Sequence, residues 1–495
     1  MKVIIPDISN PETIAMLQAL YSRSGTSVEE HLKGFTDIEI VSNSSEKKLQ
    51  EKMKKFYIGY GHDSIGDCGS TTVFIEGVSI IAAKAIQNTP LYSGQESSTR
   101  YLNFSTQRGK VEALLDKYFV HDFKERVRTA LDTYFSLYQD ITKRMCNHKA
   151  ATYGWDYDDV NMNPVIRRAV TAWAFDRSRG YLPAGTTTQL SFHGSLRELR
   201  RHFMDLKVHI LPEVRDIAQE VLKKLIEKYP SSFKTDDNES SVIDIFSNKY
   251  VDGRETSYPA LRILQNNVYS IWTKGSVWDG CSHEVSDYSG DNGRRDSLKY
   301  GVIGIQSTVV GLQLDYGSWR DLQRHRNGLC EATLPHWSSK DVAIDDIHDN
   351  PLSIHDWYLE SVNDYLGLRS DVYSFHHQLR ELFNDIYKSS EKKDNAEDLI
   401  SLISYLLPLG RVVPTSVFYS PEQWDYVFDL RLRGTVHPTL VNFLSGAVRE
   451  IGSRIPYFIK KYGTRIDSIR KEEDQINHQR GKQTIMNEDG SAISD

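Results

Sequence analysis

Apolar residues return at helical spacing along several long runs of this chain. From Val111 to about Ala151, VEALLDKYFVHDFKERVRTALDTYFSLYQDITKRM repeats them every three to four positions, which predicts one or two packing helices. PVIRRAVTAWAFDRSRG predicts another, closed by Gly180. The run SLRELRRHFMDLKVHILPEVRDIAQEVLKKLIEKY predicts a long helix broken or kinked near Pro212, because proline removes a backbone donor and clashes with the preceding turn. Shorter β-branched runs alternate with these. STTVFIEGV predicts a strand leading into the short helix SIIAAKAIQ, and GVIGIQSTVVGLQL predicts a strand leading into DYGSWRDLQ. The opening mixes a VII strand, the helical pattern PETIAMLQALYSRS and a charged helix, SSEKKLQEKMKKFY. Glycines make IGYGHDSIGDCG a loop, and the Lys-, Glu-, Asp-, Gln- and Ser-rich tail from Arg465 reads as poorly ordered.

The second half of this pattern partly repeats the first. YLLPLGRVVPTSVFYS corresponds to YLPAGTTTQLSFHG, and WDYVFDLRLRGTVHPTLVNFLSGAVREI echoes the helices around Pro212, with Pro438 at the comparable place. Asn88 stands 236 positions before Arg324, and Leu182 stands 225 before Leu407, so the correspondences keep nearly one offset. That is the mark of one internal duplication rather than of an array. The polar stretch PSSFKTDDNESSVIDIFS is the linker candidate, with the boundary near Glu239. The expectation is an α+β protein of two related domains, 1–239 and 240–464, forming a pseudo-dimer, with a polar tail over 465–495.

Composition narrows the function. A net charge of −7 over 495 residues argues against a surface that grips nucleic acid through counterion release, so no nucleic-acid partner is expected. Small anions need only a local basic pocket. Cys68, Cys146, Cys281 and Cys330 lie far apart without CxxC spacing, which suggests neither a disulfide framework nor a closed zinc site. Cys281 and His283 lack a second pair of ligands, and Cys68 reads as a small buried residue, so no metal site is expected. The opening lacks a leader's basic start and apolar core, and no run approaches about 18 apolar residues; a soluble, cytoplasmic protein without membrane contact is expected. No GxSxG, HExxH, Walker A or kinase set is present, and covalent catalysis by a protein nucleophile has no support.

Two stretches carry candidate chemistry. Asp321–Trp337, DLQRHRNGLCEATLPHW, holds Arg324, His325 and Arg326, a compact cationic cluster whose guanidinium forks suit a diphosphate. Asn88–Phe104, NTPLYSGQESSTRYLNF, holds Glu96, Ser98, Thr99, Arg100 and Tyr101, whose acceptors, hydroxyls and cation suit a nucleotide. Arg179, Lys207 and Arg433 are further cations at matching places in the repeat. Taken singly, each has a plain explanation, since helical Arg and Lys commonly extend to solvent and polar loops pair with exposed acids. One active site that needs both stretches is the sharper reading.

At these residues the sequence resembles the flavin-dependent thymidylate synthases, whose signature is an RHR cluster followed at fixed distance by E-x-S-x-R-Y. YGHDSI, IEGVS, QESSTRY, RGYLP, MDLK and LPEVRDIA match in the first half, and DLQRHR, LLPL, LRLRG and the helix after His437 match in the second. The losses are complementary. The RHR positions read Asn88, Thr89 and Pro90 in the first half, whereas the Ser and Arg of the nucleotide segment read Leu334 and His336 in the second. The counterpart of Arg179 falls near Ser404, and the family's glutamine before RHR reads Ala85 and Asp321. The family's Glu-His after the GH-x-S loop reads Asp67 and Cys68.

The resemblance implies reductive methylation of dUMP to dTMP, with methylenetetrahydrofolate as carbon donor and electrons passed from NADPH through FAD. It implies nucleotide binding by Glu96, Ser98, Thr99, Arg100, Tyr101, Arg179 and Arg433, with Lys207 at the last one's counterpart, and FAD binding by Arg324, His325 and Arg326. Family members are homotetramers, so a homodimer of the tandem chain is expected. Catalytic residues stay unassigned. Two alternatives stand beside this: another one-carbon modification of a pyrimidine nucleotide, such as hydroxymethylation, and a nucleotide- or flavin-binding protein without turnover.

Overall fold

The computed structural model of the chain describes residues 10–21, 63–89, 91–230, 232–233, 308–337, 341–342, 350–390, 396–453, 455–472 and 476. The VII strand, the charged helix, the boundary near Glu239, Cys281 and His283 lie outside them. Helix and strand are mixed, and the chain forms two compact units, each discontinuous in sequence: Met1–Val78 with Ala85–Glu96 and Gln189–Asp252, and Ser79–Lys84 with Ser97–Thr188 and Gly253–Asp495.

Strand β1 (Ser70–Ser79), all but its last residue in the first unit, pairs with β2 (Thr187–Ser195), whose residues from Gln189 on are in the same unit. The long helical run divides into two helices, Leu196–Leu206 and Pro212–Lys228. Ser195 caps the former by accepting from Glu198 N at 3.1 Å. Pro212 opens the latter in its first turn, where a missing N–H leaves no bond unmade. Leu199, Phe203, Val214 and Ala218 are fully buried along the facing sides of these helices.

In the second unit the apolar run from Val111 divides into Arg108–Tyr118 and Lys124–Ala151. The longer helix buries Leu131, Tyr134, Phe135, Tyr138 and Ile141 at helical spacing, and Tyr134 Oη donates to Leu406 O at 2.5 Å. The unit also holds an antiparallel sheet in which β5 (Val412–Tyr419) runs between β3 (Thr308–Asp315) and β4 (Gly328–Ala332). The sequence pattern gave no sign of β4, because GLCEA is too short to show alternation. The pattern after Ser420 forms two helices, Pro421–Arg431 and Pro438–Gly452. One expectation is corrected at the tail: residues 465–472 continue the helix Pro456–Glu472, where Tyr462, Ile466 and Ile469 are buried on one face.

Backbone bonds of the second unit recur at the offsets read from the sequence. Ile80 N donates to Thr186 O at 2.9 Å and Ile81 N to Ala184 O at 3.1 Å; at the corresponding places Tyr316 N donates to Arg411 O at 3.0 Å and Gly317 N to Leu409 O at 2.8 Å. Ser79 Oγ caps Ala82 N at 3.1 Å, as Asp315 Oδ2 caps Ser318 N at 2.8 Å. The two Leu-Pro segments also bond to each other. Ala184 N donates to Leu407 O at 2.8 Å and Leu409 N to Leu182 O at 2.8 Å, while Gly185 N donates to Tyr405 O at 2.7 Å and Gly410 N to Gly180 O at 2.8 Å. A shift of 225 positions converts one member of each pair into the other.

Candidate functional site

The site grows from the ends of two buried helices. Pro164–Ser178 ends in a stretch where Asp176, Arg177, Ser178 and Arg179 are all buried. Tyr316–Gln323, capped by Asp315, is buried along its whole length and carries Asp321. Gln323 Nε2 ties this helix to Lys84 O at 3.3 Å. Between them comes the turn at Ser98, whose carbonyl accepts from Tyr101 N and Leu102 N and whose Oγ accepts from Arg100 N at 3.3 Å. That turn delivers Arg100.

Two carboxylates gather the arginines. Arg100 donates from Nε to Asp176 Oδ1 at 3.0 Å and from Nη2 to Asp321 Oδ2 at 2.6 Å. Arg179 lies 3.2 Å from Asp176 Oδ1 and 2.9 Å from Asp321 Oδ2. Arg324 Nη2 reaches Asp321 Oδ1 at 2.8 Å. Arg431 donates from Nη2 to the backbone carbonyl of Asp321 at 3.3 Å and from Nε to His325 Nε2 at 2.9 Å. Tyr419 Oη then fixes His325 O at 2.9 Å. Four guanidiniums against two carboxylates leave an excess of positive charge. Arg179 and both aspartates are almost fully buried, whereas the Arg324 side chain is 55% exposed, so the cluster opens to solvent at Arg324.

The electrostatics follow from burial and these partners. Burial alone would raise the Asp321 pKa, but Arg100, Arg179, Arg324 and Arg431 hold its carboxyl well below the usual carboxylate range. Arg179 is raised above its ordinary value, Asp321 and Asp176 outweighing the cost of burial. Burial, helped by Arg324 and Arg100 against the pull of Asp321, lowers Arg431 to about 10. Burial, with Arg431 and Arg324, lowers His325 to about 3. Since a guanidinium cannot accept, His325 Nε2 is the acceptor of Arg431 and the ring is neutral, with its proton on Nδ1. This corrects the reading of RHR as three cations.

Within the second unit the structure therefore brings together Arg100, Arg179, Arg324 and His325. Arg326 is half-buried, Thr99 is buried and Tyr101 half-buried beside Arg100 in sequence. Arg433 stays on the surface, donating to Asp429 O at 3.1 Å, and Arg431 joins the cluster instead. Glu96 and Lys207 belong to the first unit. Glu96 accepts from Gln87 Nε2 at 3.2 Å, and Lys207 lines a cavity of about 410 Å³ with Arg200, Met204, Lys223 and Phe233. Asp176 and Arg431 were not singled out by the sequence, and Asp321 only as a departure. A helical D-x-x-R pattern, which sets Asp176 against Arg179 and Asp321 against Arg324, was the available signal.

Cys68 is half-buried rather than fully buried, and burial with Asp67 raises its thiol pKa. Among the described residues no group of three or more His, Cys, Asp or Glu is placed to hold a metal, and no helix is long and apolar enough to cross a membrane.

A family model described as thymidylate synthase complementing protein matches residues 7–231. A UPF0159 protein of Chlamydia pneumoniae is 30% identical over 444 residues, 82% of this chain and 78% of that protein. The chain belongs to the thymidylate synthase complementing family. This is the flavin-dependent family. More distant members are a UPF0159 protein of Chlamydia muridarum, 24% identical over 57% of this chain, and one of Thermoplasma acidophilum, 22% identical over 62%. The chain spans 60% of the length of the former and 71% of the latter. The family match lies in the first part of a chain of 495 residues, about twice the matched length, compatible with a tandem duplication.

Proposed function

We propose that this chain is a flavin-dependent thymidylate synthase-like enzyme with one active site assembled from both halves of a tandem pair. The observation that carries this is the sharing of Asp321 by Arg100 and Arg179, from the half that keeps the nucleotide segment, and Arg324, from the half that keeps RHR. Complementary losses would otherwise leave two defective sites. The mirrored bonds between residues 180–185 and 405–410 support a pseudo-dimer of domains 1–239 and 240–464; a homodimer of this tandem chain belongs to the same proposal.

The donor set fits the flavin's diphosphate: an exposed guanidinium at the mouth of a cluster with excess positive charge, beside a neutral histidine that carries Nδ1–H. Arg324, His325 and Arg326 would hold FAD, which supplies hydride transfer from NADPH when bound. Arg100 and Arg179 are the cations for the nucleotide phosphate, and Ser98 fixes the turn that aims Arg100. Thr99 and Tyr101, beside Arg100 in sequence, extend the proposed nucleotide set. With no activated nucleophile assigned, the chain's contribution is positioning and charge stabilisation.

The test is mass spectrometry of nucleotides after incubation with dUMP, dCMP, methylenetetrahydrofolate, FAD and NADPH. Methylated dUMP is the expected product. A hydroxymethylated nucleotide would replace the reaction while keeping the cofactors, and unchanged nucleotides beside an active control synthase would contradict an enzymatic role on these substrates.

A further inference from the structure

At the centre of the arginine cluster a side-chain carboxylate stands where a ligand anion would be held. The two oxygens of Asp321 meet three guanidiniums, at 2.6 Å from Arg100, 2.9 Å from Arg179 and 2.8 Å from Arg324. A phosphate in the same place would use the same forks. The aspartate cannot withdraw with its backbone, because its helix is buried from Tyr316 to Gln323, capped by Asp315 and tied to Lys84. Only rotation of the side chain, or exchange of its partners, would free the arginines. Nor does the fold require a carboxylate at this place, since the corresponding position of the other half is Ala85.

We propose that Asp321 is a built-in competitor for the anion, a specificity-determining residue that a phosphate-bearing ligand must displace from its arginines. The inference rests on the reading of this cluster as an anion site. Arg324 is the first to exchange, because it is more than half exposed and holds Asp321 through one oxygen. Arg100 and Arg179 share the other oxygen, and Asp176 stays as a second counter-ion to both. The consequence is selectivity. A small inorganic phosphate must replace charge-assisted bonds with bonds of the same kind and gains little. A ligand that adds stacking or base contacts to its phosphate gains the difference.

The experiment compares the full chain with Asp321→Asn and with Asp140→Asn, which removes one charge from an exposed helical pair with Arg144. Inorganic pyrophosphate is titrated against each while the melting temperature is followed. Asp321→Asn is expected to be stabilised at pyrophosphate concentrations about ten- to a hundredfold below those needed by the wild type or Asp140→Asn, the effect of one competing charge-assisted contact. Equal responses in all three proteins would overturn the proposal. So would an Asp321→Asn chain that pyrophosphate neither stabilises nor, if it is unfolded alone, returns to a folded far-ultraviolet spectrum. FAD titration separates the two claims. A pyrophosphate gain in Asp321→Asn, with no FAD bound by any form, keeps this inference and removes the flavin reading. Equal pyrophosphate responses with FAD bound by the wild type do the reverse.

Discussion

Arg179 and Arg324 touch the same carboxylate, yet they stand in different dielectric surroundings. Arg179 is buried between Asp176 and Asp321, so Arg179→Ala removes two buried charge-assisted contacts while Arg100 still pairs with both carboxylates, and should cost about 1.5–3 kcal/mol in chemical denaturation. Arg324 is mostly in water, and Arg324→Ala should change stability by no more than about 1 kcal/mol while weakening flavin binding roughly ten- to a hundredfold. Equal losses of stability would refute this division. Buried histidines set the acid limit. Burial lowers His325, His209 and His376 to about 3 and His202 to about 4, from 6.5. Below pH 6.5 the unfolded chain therefore binds more protons than the folded one. Their stabilisation is complete above 6.5 and is lost as pH falls towards 4, by about 1.4 kcal/mol per pH unit for each. Denaturation midpoints should drop between pH 7 and pH 5; a flat profile would contradict the burial of these rings as neutral groups. The cations were legible in the sequence because Arg324 and Arg100 sit in recognisable motifs. Their carboxylate partners were not, because Arg100 and Asp321 are 221 positions apart and only the fold joins them.

At the scale of elements, glycines let the two Leu-Pro segments approach each other and let the Tyr358 ring pack onto Gly180. A Cβ on Gly180 would come within 2.2 Å of the Tyr358 ring, and one on Gly410 within 3.0 Å of Gly180 O. Gly180→Ala should therefore destabilise by about 1–3 kcal/mol through overpacking. Gly446, inside the helix Pro438–Gly452 with nothing within 4 Å of a built Cβ, gives the opposite case. Gly446→Ala should stabilise by about 0.5–1 kcal/mol, because alanine loses less backbone freedom on entering a helix. If both variants shift the denaturation midpoint in the same direction, the close approach is not what requires Gly180. Gly180 was read only as a helix terminator, since a sequence pattern shows where a helix stops but not what presses against the stop. The helices over 124–151 and 164–178 and the break at Pro212 were legible because periodicity and proline are local. β4 and the last turns of Pro456–Glu472 were not, since their order comes from pairing with β5 and from buried Ile466 and Ile469.

At the scale of the whole chain, the proposed tandem pair keeps, among the described residues, one charged site rather than two. The charged cluster combines Arg100 and Arg179 with Asp321, Arg324 and Arg431. The positions corresponding to Arg179, Asp321 and Arg324 in the other halves are Ser404, Ala85 and Asn88, which cannot hold a diphosphate by charge. The sequence exposed this complementarity through motifs at nearly constant offset; the meeting of the surviving parts at one carboxylate needed the structure. The most direct measurement is the stoichiometry of FAD binding to the pure chain, by titration with fluorescence detection, repeated with Arg324→Ala and Arg100→Ala. One FAD per chain, bound roughly ten- to a hundredfold more weakly by Arg324→Ala and unchanged by Arg100→Ala while dUMP binding fails, is the expected result. Two FAD per chain, or one that survives Arg324→Ala unchanged, would contradict a single site built from both halves.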